Sequence, residues 1–318
     1  MNDYGLSVLS QYGLTAKTVT RGRGILICDT EEGLRAISPH HGSEAKLQMQ
    51  HDIQQHCREA GFPYVDQVIK NQEGNVLSKD EEETVYLMRD WFLGKECDTR
   101  SGAEILECTE TMARLHQVLH MEKAETIHSS DLVEECARHN RELRKIRKYI
   151  QKKKKRNEFE EVMAKSISQF LEQGEKAVEG MEKEGYRELL QEHGEQICHG
   201  ECTQHNFLFV RDGVAVTNFE HFNWGLQIAD LSHFMRKILE KHQWDKELGR
   251  EMIASYQSMR KLSQGELKNL MLLLSYPWKY WKVANYYANS NKVWISPKNV
   301  EKLKKSISLW EPWKEFVG

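Results

Sequence analysis

The sequence predicts an α+β chain in two parts, a small antiparallel sheet carrying one helix and then a larger helical part. Three observations predict it. The first hundred residues hold short apolar runs separated by turn-forming clusters, the pattern of strands. From Ala103 onward the apolar spacing becomes helical. At 318 residues the chain is about twice as long as an ordinary single domain, which calls for two lobes around a cleft or one large domain. The expected division gives 1–94 to the sheet and 95–318 to the helices.

In the first part, GILICDTEEGLRAI sets Ile25 to Cys28 and Leu34 to Ile37 around DTEEG, a hairpin. A helix follows from Ser43, a good N-cap with Glu44 beside it, and stops before Gly61-Phe62-Pro63. Gln67 to Lys70, the turn NQEGN, and Thr84 to Met88 read as further antiparallel strands, with WFLGKECD as a connector. Gly22 and Gly24 in RGRG stand where a phosphate-covering turn would be, but a lone G-x-G reads first as a plain hairpin turn.

In the second part, Leu106, Met112, Leu115 and Leu119 share one face of AEILECTETMARLHQVLH, which suits a core helix. A short β element, NFLFVRDGVAVTNF, turns at Asp212-Gly213. After it, Leu231, Phe234, Met235, Ile238 and Leu239 form the buried stripe of another helix. Five of the eight tryptophans, Trp278, Trp281, Trp294, Trp310 and Trp313, lie in the last 41 residues and read as core.

Hydrophobic residues at 39% and charged ones at 29% supply a core under a solvated surface, which excludes disorder as the main state. Forty-five Lys+Arg against 48 Asp+Glu give −3, so no global charge signal points to nucleic acid or an anionic membrane. The longest apolar run, Leu270 to Leu274, is far short of the roughly 20 residues that span a bilayer. No secretory signal is read in the first 14 residues, and residence inside the cell is expected. The seven cysteines are odd in number and scattered, so reduced thiols are expected.

One stretch departs from the overall balance. Arg141 to Arg156 holds ten basic residues and one acidic one, Glu142, and is either a solvated helix face or a surface for an anionic partner. His193, Cys198, His199, Cys202 and His205 fall close together, but C-x3-C with irregular histidines lacks the paired spacing of a structural zinc site. No metal is expected there, and the cysteines read as small apolar packing. A Cys-His nucleophile has only proximity in its favour.

The chemistry-bearing constellation is HGECTQHN, His199 to Asn206, followed by TNFE and then by Asp230-Leu231. It resembles the catalytic region of the aminoglycoside phosphotransferase and choline kinase-like superfamily. There His-Gly-Asp, four residues and Asn precede a hairpin, an Ile-Asp-aromatic-Asp segment and an Asp-Leu pair. MARLHQVLH, with Ala113, Leu115 and His116, resembles the helix before that loop. The resemblance spans about residues 15 to 290 and implies a protein-kinase-like two-lobed fold, with a small antiparallel-sheet N-lobe and a larger helical C-lobe.

Phosphoryl transfer needs a lysine on the phosphates, an Asp to accept the alcohol proton, and an Asn with a second Asp on magnesium. By the resemblance, Glu201 stands at the base position, one methylene too long, and a misplacement of about 1 Å can cost on the order of 100-fold. Asn206 matches the metal-holding Asn. Asn218 puts a neutral amide where magnesium wants an anionic oxygen, with Glu220 two residues on and on the same face of a strand as a substitute. Ser38 takes the lysine position, and Arg35, the nearest basic residue, shares its side with Ile37 instead. Asp230 is read as capping the helix from Leu231 and anchoring the loop around His199.

Within the superfamily, LRAISPHHGSE, VYLMRDWFLGKECD, QEHGEQICHGECTQHNFLFV and YPWKYWKVANYYANSNKVW are similar to CotS-type endospore coat-associated proteins, including the YutH branch. That likeness implies a non-catalytic kinase-fold protein made in the mother cell and deposited in the spore coat. It would act through contacts with other coat proteins, without cofactor. Two alternatives remain open. One is an active small-molecule phosphotransferase using ATP and magnesium, with Glu201 as base and Asn206 plus Glu220 on the metal. The other is a binder of an anionic partner through Arg141 to Arg156.

Overall fold

The computed structural model describes residues 5–22, 24–123, 129–194, 196–290 and 295–318. Trp294 and Arg23 of the RGRG turn lie outside them. Strands β1 (Ala16–Arg21), β2 (Leu26–Thr30) and β3 (Gly33–Pro39) form a meander, with Leu26 opposite Ile37 and Cys28 opposite Arg35. The Gly22 N–H donates to Ile25 O at 2.9 Å and Gly24 takes φ +74°, so both glycines belong to the turn of the β1–β2 hairpin. Helix α1 (Glu44–Glu59) starts where expected, with Ser43 Oγ accepting the Lys46 N–H at 3.4 Å. Strands β4 (Val68–Ile69), β5 (Ser78–Lys79) and β6 (Val85–Asp90) complete an antiparallel sheet in the order β1-β2-β3-β6-β4, with β5 also on β6.

Period two decides what each face of this sheet buries. On one face Leu26, Cys28, Ile37 and Met88 pack with Val8, Leu9 and Leu14. On the other, Leu87 packs with Leu47 of α1 and with Val68 and Val76. Each such side chain contributes about 1.5–3 kcal/mol on burial. Ser38 lies opposite Leu87 and therefore on the α1 face, while Arg35 shares the opposite face with Ile37.

Strand β7 (Lys95–Glu96) and helix α2 (Gly102–Val118) follow. The buried face of α2 is Ile105, Cys108, Met112 and Leu115. Leu106 is only half-buried, because the face runs from Ile105 and residue 106 sits about 100° around the helix from it. Leu119 is buried, but as the residue that ends the helix.

Helices α3 (Leu132–Lys152), α4 (Glu158–Lys183) and α5 (Tyr186–Glu192) come next, then β8 (Ile197–Cys198), β9 (Phe207–Val210) and β10 (Gly213–Val216). Gly213 begins β10, so the turn is Arg211-Asp212 and not Asp212-Gly213. Strand β9 lies between β10 and β7. The chain ends in α6 (Ile228–Leu239), α7 (Lys246–Met259), α8 (Gln264–Leu274), α9 (Trp278–Asn289), α10 (Pro297–Ser308) and α11 (Trp310–Val317). All five apolar residues of the expected α6 stripe are fully buried.

The backbone packs as two compact units. One is Met1–Glu122 with Ile197–Asn223, and the other is Lys123–Gln196 with Trp224–Gly318. The first takes in α2 and the loop-and-hairpin segment along with the sheet. In the second, α4 buries Phe159, Met163, Ile167, Phe170 and Met181. Phe170 stacks on Tyr280 at 3.9 Å, and Trp281 stacks on His139 at 3.4 Å. Trp313 is buried, whereas Trp278, Trp281 and Trp310 are half-buried. No helix among the described residues is long and apolar enough to cross a membrane.

Candidate functional site

The loop between β8 and β9 and the turn after β10 meet within the first unit. Gly200 takes φ +83°, and a Cβ there would collide with the His221 carbonyl oxygen, so only glycine lets the loop lie this close to the turn. His199 is fully buried. Its Nε2 donates to Thr217 O at 2.9 Å and its Nδ1 accepts the Glu201 N–H at 3.2 Å, which fixes one neutral tautomer. Residues 204–206 form a 3-10 turn, and His205 Nδ1 lies 2.5 Å from Glu96 Oε2 on β7.

Three of the expected site residues are in direct contact. Asn206 Nδ2 donates to Glu201 O at 2.8 Å, and Asn218 Nδ2 donates to Glu201 Oε2 at 3.1 Å. His221 Nε2 lies 3.5 Å from the same carboxylate oxygen. Asn218 takes φ +71°, a left-handed conformation that asparagine tolerates better than most residues.

Glu220 is placed differently from expectation. Residues 219–221 are a 3-10 turn and not a strand, so Glu220 does not share a strand face with Asn218. Its carboxylate lies 3.9 Å from Arg89, and its backbone oxygen accepts from Lys46 Nζ at 2.7 Å. Ser38 is half-buried, and no hydrogen bond among the described residues joins it to the others. Arg35 is held by Asp90 at 3.0 Å and Glu32 at 3.2 Å. Asp230 belongs to the second unit. It sits in the first turn of α6, whose N-cap is Gln227, so the helix starts earlier than Leu231 and Asp230 is not its cap.

The sequence reading missed Asp66, Arg89 and Lys46. Asp66 Oδ2 accepts from the Asn218 N–H at 2.8 Å and from Arg89 Nη1 at 3.1 Å, and Oδ1 accepts from Gln54 Nε2 at 3.1 Å. Burial pushes its carboxyl up to about 6, against the pull of Arg89 and of the Asn218 N–H. A signal was present: Asp66 and Arg89 are charges inside the apolar stretches FPYVDQVI and VYLMRDW.

These donors do not suit a magnesium triphosphate. Residue 218 offers a neutral amide, the carboxylate beside it accepts that amide's own hydrogen, and the ammonium brought to the turn is bound to a backbone carbonyl.

Residues 7–317 match the family described as "Spore coat putative kinase YutH". The chain belongs to this spore coat YutH family. No curated protein matches it in sequence. Among solved structures it resembles an aminoglycoside phosphotransferase from Alicyclobacillus acidocaldarius, at 16% identity and a TM-score of 0.87 over 98% of this chain and 93% of that one. The amicoumacin kinase hAmiN follows at 12% identity and TM-score 0.62, covering 97% and 92%. A choline kinase from Cryptosporidium parvum gives 12% and 0.57, covering 97% and 91%. Identities this low show the fold alone: the YutH-family chain has the kinase-like fold of these enzymes.

Proposed function

We propose that this protein is a non-catalytic kinase-fold component of the spore coat, made in the mother cell and acting by contacts with other coat proteins, with no need of nucleotide or metal. The observation that carries the reading is the 3.1 Å bond from Asn218 Nδ2 to Glu201 Oε2. A working site keeps the carboxylate free for the alcohol proton and places an anionic oxygen on the magnesium. Here the two positions bond to each other, and Ser38 supplies no charge for the phosphates.

A second reading is an active small-molecule phosphotransferase, favoured by the direct contacts among Glu201, Asn206 and Asn218 and by the word kinase in the family's description. Thermal unfolding with ATP, with and without magnesium, separates the two. A binder at ligand about 100-fold over Kd gains about 2.7 kcal/mol. We expect no magnesium-dependent shift and no transfer of labelled phosphate to an alcohol. Transfer that disappears in Glu201→Ala would replace the first reading by the second.

A further inference from the structure

Helix α3 turns a stripe of basic side chains to solvent. Arg141, Lys145, Lys148 and Lys152 fall at i, i+4, i+7 and i+11, one line along the helix, and Lys154 and Lys155 continue past its last residue, Lys152. Acidic neighbours neutralise only part of this ridge. Arg141 pairs with Glu134 at 2.8 Å, Arg144 with Glu175 at 2.8 Å and Lys153 with Glu160 at 2.6 Å. Lys145, Lys148, Lys152, Lys154 and Lys155 are exposed and make no ion pair among the described residues.

The helix dipole accounts for little of this. It favours cations only within the last turn, whereas Lys145 lies two turns back and Lys154 and Lys155 lie beyond the helix. Lysines three and four residues apart repel one another along the whole stripe.

The counter-charge lies elsewhere on the chain. The ridge from Arg141 to Arg156 carries +9, so the remainder stands at −12 against a total of −3. Between β5 and β6 that remainder presents Asp80, Glu81, Glu82 and Glu83 in a single turn. Asp80 Oδ1 accepts the N–H groups of Glu82 and Thr84, each at 2.9 Å, and Glu83 pairs with Lys79 at 2.7 Å. These bonds fix the turn, with Glu83 at φ +63°, and leave Glu81 and Glu82 exposed without an ion pair among the described residues.

We propose that the basic ridge docks on the Asp80–Glu83 turn of a second copy of this chain. From Lys145 to Lys152 the stripe is about 10 Å long, and a four-residue turn spans less than about 7 Å between its end Cα atoms, so the stripe is long enough to face the whole turn. A long polyanion fits less well. The −12 remainder repels it, and Tyr149, the exposed aromatic of the ridge, has its ring covered by the Lys153 ammonium at 5.6 Å instead of being free to stack on a base. A reciprocal pairing of ridge with turn closes a dimer, and a head-to-tail pairing propagates from copy to copy. The inference rests on the reading that the chain works by protein contacts, and it names the partner.

Sedimentation of the full-length protein at about 50 mM and about 500 mM NaCl tests it, the higher salt shortening the reach of charges to a few ångströms. The wild type should associate at low salt and be monomeric at high salt. Lys145→Glu/Lys148→Glu/Lys152→Glu and Glu81→Lys/Glu82→Lys should each be monomeric at both, with circular dichroism confirming that they fold. Their equimolar mixture should associate again, because each reversed patch then meets its opposite. A wild type that stays monomeric at low salt, or a mixture of two folded variants that does not associate, overturns the contact and leaves the nucleotide experiment untouched. Salt-sensitive binding of duplex DNA by a monomeric wild type, lost in the ridge variant, overturns it in favour of a polyanion.

Discussion

Asp66 is a charge that the fold accepts at a cost. It is fully buried, and the desolvation that lifts its carboxyl from 3.8 to about 6 outweighs the attraction of Arg89. The folded chain therefore holds a proton between pH 4 and 6 that the unfolded chain has released. The stability this contributes is complete below about pH 4 and gone above about pH 6, a fall of about 3 kcal/mol at most. Urea unfolding across that range should show the slope, and Asp66→Asn should flatten it while holding the pH 7 stability at or above wild type. Asp66→Ala should instead lose about 3 kcal/mol, because it strips the hydrogen-bond acceptor from the Asn218 N–H, the Gln54 amide and Arg89 at once. A flat wild-type profile would contradict this account. Asp66 and Asn218 are 152 positions apart, and no local pattern announces such a pair. That Glu201, Asn206 and Asn218 lie together was legible through the resemblance of the loop and hairpin that carry all three.

At the level of elements, the start of α1, which has a side-chain cap, was legible, and the start of α6, which has none, was not. Ser43 caps α1 as its sequence suggests, but α6 begins behind Gln227, whose backbone is already helical and whose side chain makes no cap bond. The start of α4 shows how much one cap can hold. Asn157 Oδ1 accepts the Glu160 N–H at 3.0 Å, and Glu160 Oε2 accepts the Asn157 N–H at 3.1 Å. Glu160 Oε1 also accepts from Lys153 Nζ at 2.6 Å and from the Tyr287 hydroxyl at 2.5 Å. Burial alone would raise the Glu160 carboxyl, but these donors together bring it below the usual range. Asn157→Ala should cost about 1 kcal/mol. Glu160→Ala should cost about 3 kcal/mol, since it also leaves a buried hydroxyl and an ammonium without their partner. Chemical denaturation of the two variants checks the ratio, and equal losses would mean that the cap alone matters.

Over the whole molecule, strand and helix periods fixed the order of elements, but not which of them pack together. The loop and hairpin at 197–223 join the sheet-bearing unit although the three helices α3, α4 and α5 precede them. Only long-range contacts such as Val65 against Val216 make that grouping. The cysteines respond to this packing as a set. All seven are free and buried, spread over both units. A thiol reacts as its thiolate, and burial pushes Cys57 up to about 12 and raises Cys28 and Cys136 as well. Native protein mixed with a chromogenic disulfide such as DTNB at pH 8 should therefore release less than about one equivalent of dye over minutes. In denaturant it should release all seven. The native rate then measures opening of the structure, because an exposed thiolate would react at once. Several thiols reacting rapidly in the native protein would show that a unit holding them opens far more readily than its packing implies.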